Sequence, residues 1–300
     1  MPSGVRHWGM EQRRLGRTDH HSSVAILGGA AFARGTPEIV EDRFHRAIER
    51  GVNHLDIAPG YGLAEELVGP HIPAVRDRLF IGEKTGRKHP DGVRAQLETT
   101  LERLRTDHVD TYQAHGVTDV DDLDARAGAY EVILAARDEG LTRFVGITGH
   151  DLGTPRAQLE AIRRYDLDTV MFPLYARVWA DPVYRSDVEA LLAECAARDV
   201  GVQVIKAAAW RPWGDRELTA QSWYEPFPDP ERITRGVRFA LSTPGVHGFA
   251  TPGDPDVLLT ALDAAEGFTP MTDDEREATV TAMADEPVIF PLREHARRAD

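Results

Sequence analysis

The sequence predicts an α/β protein of the (β/α)8 TIM-barrel class, and two observations support this fold. Short β-branched or apolar runs alternate eight times with longer segments of helical period. Such alternation is typical of parallel strands joined by right-handed crossovers. The 300 residues accommodate one barrel of roughly 250 residues with extensions. We therefore expect a single (β/α)8 barrel domain over residues 1–300.

The elements can be placed in order. Thr36-Pro37 is typical of an N-cap followed by proline at the first position of a helix. Val40, Phe44 and Ala47 then recur at the spacing of one helical face, which predicts the first barrel helix. The eight predicted barrel strands are Val24–Leu27, Val52–Asp56, Leu79–Lys84, Val109–His115, Arg143–Thr148, Thr169–Pro173, Gly201–Lys206 and Val246–Ala250.

Three segments fall outside the repeat. Gln12–Leu15 is expected either to pair with the first barrel strand or to form a hairpin at the barrel floor. Ala207–Pro230 is rich in Trp, Pro and Tyr, so we predict an ordered, extended loop after strand seven that forms a wall over the barrel mouth. The tail from Pro270 to Asp300 is predicted to hold an extra helix, about Asp273–Met283, across the barrel exterior or rim.

The amino-acid composition argues against two classes of binding partner. The formal net charge of −14 disfavours nucleic acid and anionic membranes. No apolar run approaches the ~20 residues that span a bilayer, and the polar N-terminus lacks an apolar signal core, so a cytoplasmic protein is expected. The single cysteine, Cys195, lies in a helical apolar stripe, and this position favours core packing.

Four residues form a candidate acid/base site. Asp56, Tyr61, Lys84 and His115 lie at or just after the carboxyl ends of consecutive predicted strands, and these ends converge on one mouth of a parallel barrel. A tyrosine with an unperturbed pKa near ~10 is a poor acid unless a cation stabilises its phenolate. Lys84 can be that cation, with Asp56 as its counter-ion, and His115 can hydrogen-bond the oxygen that Tyr61 protonates. No side chain supplies hydride, so carbonyl reduction here implies a nicotinamide cofactor.

The segment from Gly51 to Gly69 resembles the aldo-keto reductase signature, in which Asp and Tyr sit five residues apart between glycines. The resemblance extends over roughly residues 11–265 and includes the family's lysine strand and histidine strand, here Ile81–Lys84 and Asp110–His115. It implies carbonyl reduction or alcohol oxidation of a small molecule, with Tyr61 as the general acid. By the same resemblance Lys84 and Asp56 tune Tyr61, and His115 orients the carbonyl.

The sequence also departs from the family. Typical members end strand five with Ser-Asn, but this chain has Thr148-Gly149 followed by His150, a segment similar to a prokaryotic branch. Met171 stands where strand six usually offers Gln. Lys206 ends predicted strand seven, and the nicotinamide-stacking tyrosine expected after that strand is not evident in Lys206–Trp210. The residues expected to bind the nucleotide are Gly28, Gly29, Thr148, Gly149, His150, Met171, Lys206, Gly253 and Asp254.

The sequence gives only weak grounds for choosing between NADPH and NADH as the preferred cofactor. Between Val246 and Glu275 the sequence contains no Lys or Arg, and Asp254 and Asp256 would repel the 2′-phosphate of NADPH. Basic help could come from Lys206 or from an arginine in the long loop, Arg211. On the family's habit, NADP(H) is slightly favoured over NAD(H).

Three other functions are open on the sequence alone. The incomplete amide pocket suits a non-catalytic, redox-sensing barrel that binds a nicotinamide nucleotide. His115 and His150 on successive strands suit a metal-dependent hydrolase, although the first strand ends in Gly28-Gly29 instead of His-x-His, and we assign no metal ligands. Lys84 or Lys206 could serve a Schiff-base aldolase.

Overall fold

Eight parallel strands close into a barrel, which confirms the predicted fold class. The structure is a computed structural model that describes residues 9–292, so the predicted domain range of 1–300 extends beyond the described part at both ends. Within residues 9–292 the strands are β1 (Gln12–Arg14), β2 (His21–Ser23), β3 (Ala25–Gly28), β4 (His54–Asp56), β5 (Phe80–Thr85), β6 (Val109–His115), β7 (Thr142–Thr148), β8 (Thr169–Pro173), β9 (Gly201–Ile205), β10 (Ala209–Arg211), β11 (Glu225–Pro226) and β12 (Gly248–Ala250). In barrel order the strands are β12, β3, β4, β5, β6, β7, β8 and β9.

Helices cover the outside of the barrel, and several begin with the same local device. Thr36, Asp181, Asp229 and Asp254 each precede a proline and accept a hydrogen bond from a backbone N–H of the first helical turn. In the described range the helices are α1 (Pro37–Glu49), α2 (Ala64–Val68), α3 (Pro90–Leu104), α4 (Val120–Asp124), α5 (Ala127–Asp138), α6 (Thr154–Arg164), α7 (Ala176–Trp179), α8 (Pro182–Arg198), α9 (Pro230–Leu241), α10 (Pro255–Glu266) and α11 (Asp273–Met283).

An antiparallel hairpin of β1 and β2 lies at the amino end of the barrel. Of the two arrangements expected for Gln12–Leu15, the hairpin is therefore the one observed. Leu15 is fully buried against Gly201 at the start of β9. The Ser22 hydroxyl lies 2.8 Å from Nδ1 of His54, which is fully buried. The hairpin thus covers the barrel floor and leaves the carboxyl end for the site.

The long loop after β9 is ordered, as predicted, and it contains a feature that the sequence did not predict. Its two ends pair as β10 and β11 in an antiparallel ladder with a bulge. Two hydrogen bonds join Arg211 to Glu225, at 2.8 and 3.2 Å. Trp213 is almost fully buried and donates its indole N–H to the carbonyl of Ser222 at 2.8 Å. These contacts give the wall a fixed conformation.

The C-terminal segment reaches the barrel rim. The extra helix α11 occupies the predicted span, Asp273–Met283. Beyond it, the N–H of Ile289 donates to the hydroxyl of Tyr175 at 3.2 Å, and Leu292 lines the cavity at the mouth. Cys195 is buried on α8, as its apolar surroundings in the sequence indicate. Between residues 9 and 292, no helix is both long enough and apolar enough to cross a membrane.

Candidate active site

A cavity of about 290 Å³ opens at the carboxyl end of the barrel. Strand ends and the loops after them supply one side, and the long loop supplies an aromatic wall on the other. Carboxyl ends of barrel strands are the usual place for catalytic groups in this fold. The lining residues are Gly28, Ala30, Asp56, Gly60, Tyr61, His115, His150, Ile205, Lys206, Trp223, Tyr224, Ala250, Thr251, Pro252, Gly253 and Leu292.

The structure brings the four predicted acid/base residues together. The Lys84 ammonium, which is fully buried, lies 2.6 Å from Oδ1 of Asp56. It also donates to the carbonyl of Ile57 at 3.1 Å and to the Tyr61 hydroxyl at 3.4 Å. The Tyr61 ring meets the His115 ring edge-on, with centroids 6.0 Å apart. Lys84 therefore lies behind Tyr61, while Tyr61 and His115 face the cavity.

The protonation states follow from burial and from these neighbours. Burial lowers the pKa of Lys84, but the surrounding groups, Asp56 foremost, together more than offset this, so the pKa lies above its ordinary value and the ammonium stays charged. Burial also raises the pKa of Tyr61 to about 12, against the opposing effect of Lys84. Tyr61 therefore holds its proton at neutral pH.

His115 and His150 form a pair of imidazoles. Their Nε2 atoms lie 2.9 Å apart, so one ring donates a hydrogen bond to the other. Burial lowers the pKa of both rings well below the ordinary value, and nearby positive charges add to the effect. Both rings are therefore neutral near pH 7. Nδ1 of His150 is buried and has no hydrogen-bond partner among the described residues.

The nine residues predicted to bind the nucleotide divide into two groups. Gly28, His150, Lys206 and Gly253 line the cavity. The other five do not line it: Gly29, Thr148, Gly149, Met171 and Asp254. For all nine residues, a role in nucleotide binding stays a prediction.

The second group makes contacts inside the protein. Thr148 is fully buried and donates to Oε1 of Gln113 at 2.8 Å. The carbonyl of Met171 accepts hydrogen bonds from the N–H of Gly149 at 3.0 Å and from Nε2 of Gln158 at 2.7 Å. These bonds join the carboxyl ends of β6, β7 and β8 beneath the cavity.

A sequence profile described as the aldo/keto reductase family matches residues 25–215, more than half of the chain. The chain belongs to the aldo/keto reductase family. It is 25% identical to an uncharacterized oxidoreductase, YqkF, from Bacillus subtilis, over 90% of this chain and 95% of that protein. It is 27% identical to L-galactose dehydrogenase from Arabidopsis thaliana, over 54% of this chain and 56% of that protein. The fold superimposes on aldo-keto reductase AKR11C1 from Bacillus halodurans, holo form, with a TM-score of 0.70, 23% identity, and coverage of 95% of this chain and 99% of that one.

Family membership favours one of the functions left open by the sequence. The protein is an NAD(P)-dependent oxidoreductase of the aldo/keto reductase type, acting on carbonyl compounds. This favours an enzyme over the non-catalytic nucleotide-binding barrel and over the hydrolase. Across residues 9–292, no group of three or more His, Cys, Asp or Glu side chains is arranged to hold a metal ion.

Gly149 explains one departure from the usual aldo/keto reductase pattern. A Cβ atom at this position would lie 2.4 Å from the carbonyl oxygen of Val117 and 2.2 Å from the Thr154 side chain. Those two residues are themselves joined, because the Thr154 hydroxyl donates to the Val117 carbonyl at 3.0 Å. The loop after β6 and the start of α6 therefore leave no room for the asparagine that typical members carry.

Gln221 in the long loop was not singled out from the sequence. Its side-chain N–H2 donates to the carbonyls of Ala30 and Gly253, at 2.9 and 3.0 Å. Its backbone N–H donates to Asp254, which also caps α10. The loop is thus fastened to both sides of the cavity rim. Nothing in the local sequence distinguishes this glutamine, because its partners lie far away in the chain.

A buried carboxyl group behind the site was also missed. Glu83 precedes Lys84 on β5 and is fully buried, and its Oε1 accepts the N–H of Lys84 at 2.8 Å. Its Oε2 has no hydrogen-bond partner among the described residues. Burial raises the pKa of Glu83 well above the ordinary value, and the nearby Glu65 carboxylate adds to the effect. Glu65 has its own partners, Arg103 at 2.9 Å and Thr100 at 2.5 Å.

We expect Gly149→Asn, which restores the usual residue, to destabilise the protein. The new side chain would push against a backbone carbonyl, and overpacking of this kind costs roughly 1–3 kcal/mol. The free energy of unfolding in urea measures the effect. Gly86→Asn is the matched control, because a Cβ at Gly86 has no atom within 4 Å. Unchanged stability of Gly149→Asn would contradict the crowding.

We expect Glu83→Gln to become more stable relative to wild type as pH rises from about 5 to 8. Folded wild-type protein binds the Glu83 proton more tightly than the unfolded chain, because its pKa is raised in the fold. Wild type therefore loses stability as pH rises through this window, and glutamine does not titrate. Urea unfolding at several pH values measures the difference, with the exposed Glu189→Gln as control. A difference that does not vary with pH would contradict the assigned environment.

Proposed function

We propose that the protein reduces a small aldehyde or ketone, or oxidises the corresponding alcohol, with Tyr61 as general acid and a bound NAD(P)H as hydride source. One observation carries this proposal. The Tyr61 hydroxyl faces the cavity and lies 3.4 Å from a buried lysine that is itself paired with Asp56 at 2.6 Å. A phenol held against a permanent cation suits proton donation to an oxygen that gains negative charge.

The residues around the cavity suit a nicotinamide nucleotide. Gly28 and Gly253 present backbone without side chains to the cavity. The buried Nδ1 of His150, which lacks a partner among residues 9–292, can hydrogen-bond a carboxamide. Of the predicted nucleotide-binding residues, these three are the ones that would hold the cofactor, and the cofactor would supply hydride to the carbonyl carbon.

Tyr61 and Lys84 have different proposed roles: Tyr61 donates a proton to the carbonyl oxygen, and Lys84 stabilises the resulting phenolate. With a pKa of about 12, Tyr61 reaches the reaction still protonated. The carbonyl oxygen would gain alkoxide character as the carbon is reduced, and an alkoxide is a stronger base than a phenolate. The proton then passes from Tyr61, and the ammonium of Lys84 stabilises the phenolate that remains. Asp56 keeps the lysine charged and in place.

His115 is the candidate for orienting the carbonyl. Because its pKa is lowered well below the ordinary value, it is neutral and donates no more than one hydrogen bond. Without substrate its Nε2 is engaged with His150. A substrate carbonyl can take the place of His150 as the acceptor and so lie between His115 and Tyr61.

We expect Tyr61→Phe to lower kcat by roughly 10²–10⁴-fold, the range of general acid catalysis, with the dissociation constant of the cofactor nearly unchanged. The phenol is needed only as charge develops on the oxygen, so its loss affects turnover more than binding. Steady-state reduction of an aldehyde and fluorescence titration with NADPH measure the two quantities. Tyr165→Phe is the matched control, because Tyr165 stacks on Tyr130 and does not line the cavity. Wild-type turnover in Tyr61→Phe would rule out the assigned role.

We expect the dissociation constants for NADPH and NADH to differ by no more than roughly tenfold, about 1.4 kcal/mol. Asp254 caps α10, and Asp256 pairs with Arg43 at 3.1 Å, so this end of the barrel presents carboxylates. Arg211 is held by Glu225 and stacks on the Trp210 ring at 3.6 Å, so it is not expected to serve a phosphate.

Asp256→Lys tests the same region by replacing a negative charge with a positive one. It removes one carboxylate, releases Arg43 from one partner and adds a cation, so affinity for NADPH should rise while affinity for NADH changes little. Fluorescence titrations at several salt concentrations measure both constants. Asp273→Lys, at the start of α11, is the control. A wild-type preference for NADPH above a hundredfold would show that the phosphate is bound elsewhere.

A further inference from the structure

Lys206 is held at the cavity in a backbone conformation that L-residues rarely adopt. It follows β9 directly, and its φ is +75°. Its carbonyl accepts a hydrogen bond, at 2.9 Å, from the N–H of Ala209, the first residue of β10. Strain of this kind persists where the surrounding structure requires it, and such positions cluster at functional sites.

The ammonium group of Lys206 is buried without an anion. Only 8% of the residue is exposed, and Nζ lies over the rings of Trp223 and Tyr224, 5.3 and 4.9 Å from their centroids. In the part of the chain that the structure describes, no carboxylate pairs with it. The other two lysines do have carboxylate partners: Lys84 pairs with Asp56, and Lys88 with Asp122.

Counting residues 9–292, the cavity lining therefore carries one unbalanced positive charge. Asp56, a carboxylate in its lining, is already paired with Lys84. His115 and His150 are neutral, and the charge of Lys206 contributes to the lowered pKa of both. Aromatic rings compensate a buried ammonium only in part. Burial lowers the pKa of Lys206 to about 8, so most molecules still carry the charge at neutral pH.

The Trp223 ring lies close to both the Lys206 ammonium and Tyr61. It lies 5.9 Å from the Tyr61 ring, and the Lys206 ammonium lies over it. A molecule in the cavity of about 290 Å³ can thus touch Tyr61 and Lys206 along the same aromatic wall. A single lysine matches the single charge of a carboxylate, whereas phosphate is usually held by several donors.

We propose that the substrates are carbonyl acids, small aldehydes or ketones that also carry a carboxylate, with the carboxylate bound by Lys206 and the carbonyl oxygen by Tyr61 and His115. This inference rests on the proposed carbonyl reduction. It adds a substrate class and a residue that selects it.

Matched substrates test the proposal. The value of kcat/KM is measured for 4-carboxybenzaldehyde and benzaldehyde, and for succinic semialdehyde and butanal. We expect wild type to favour the acid of each pair by about tenfold or more, as for a hydrogen bond to a charged group. Lys206→Met should bring each ratio to about one or below, and Lys206→Arg should keep part of the preference. Lys88→Met, at an exposed lysine outside the cavity, should keep the wild-type ratios.

A binding measurement without cofactor separates this proposal from the proposed reaction. We expect 4-(hydroxymethyl)benzoate to bind wild type about tenfold more tightly than Lys206→Met in calorimetric titration, and benzyl alcohol to show no such difference. Affinity for the carboxylate should fall as pH rises past about 8, because Lys206 then loses its proton.

The outcomes are distinguishable. Turnover of neutral aldehydes with equal ratios in wild type and Lys206→Met would overturn the proposal and leave the reaction standing. Lys206-dependent binding of the carboxylate by a protein that turns over no aldehyde would overturn the reaction alone. If Lys206→Met weakens NADH and NADPH binding and leaves the carboxylate ratios unchanged, the anion belongs to the cofactor, and the substrate assignment is wrong.

Discussion

The ion pair between Lys84 and Asp56 is the contact on which the site depends. An ammonium with no exposed surface needs an anion and hydrogen-bond acceptors, and it finds them in Asp56 at 2.6 Å and the Ile57 carbonyl at 3.1 Å. Removing one member of a buried pair typically costs about 3–5 kcal/mol, because the other charge is left uncompensated. The pair joins β4 to β5, and the turn after β4 then brings Tyr61 over the lysine. The position of Tyr61 over Lys84 and the side-chain contact between β4 and β5 therefore depend on the same lysine.

Much of the fold could be predicted because its signals are local. The β6 and β8 strands and the α11 helix have the bounds that apolar patterning indicates, and the capping box of Thr272 and Glu275 marks the start of α11. The β10–β11 ladder could not be predicted in this way. Its strands are two or three residues long, and the contact that fixes them, Arg211 with Glu225, joins positions 14 apart in the chain. Short strands paired across a long loop leave no periodicity to detect.

The candidate site likewise has features that could be predicted from the sequence and features that could not. Asp56, Lys84 and His115 could be assigned because parallel strand ends converge whatever their packing. The buried state of Glu83, the fastening of the loop by Gln221 and the crowding at residue 149 depend on which elements meet in three dimensions. Each involves partners from other segments, such as the Val117 carbonyl beside Gly149. Single-sequence patterns carry residue types and spacings, so they identify candidate donors but not what those donors contact.

The two lysines at the mouth show how position determines what a charge can do. Lys84 has a carboxylate partner inside the protein, so its charge is permanent, as the proposed stabilisation of a Tyr61 phenolate requires. Lys206 has two aromatic rings and no carboxylate among the described residues, so its charge is available to an incoming anion. If both lysines were paired internally, the cavity would distinguish carbonyl compounds by shape alone. With one lysine paired and one unpaired, the same cavity has the groups for the proposed activation of a carbonyl group at one end and the proposed recognition of a negative charge at the other.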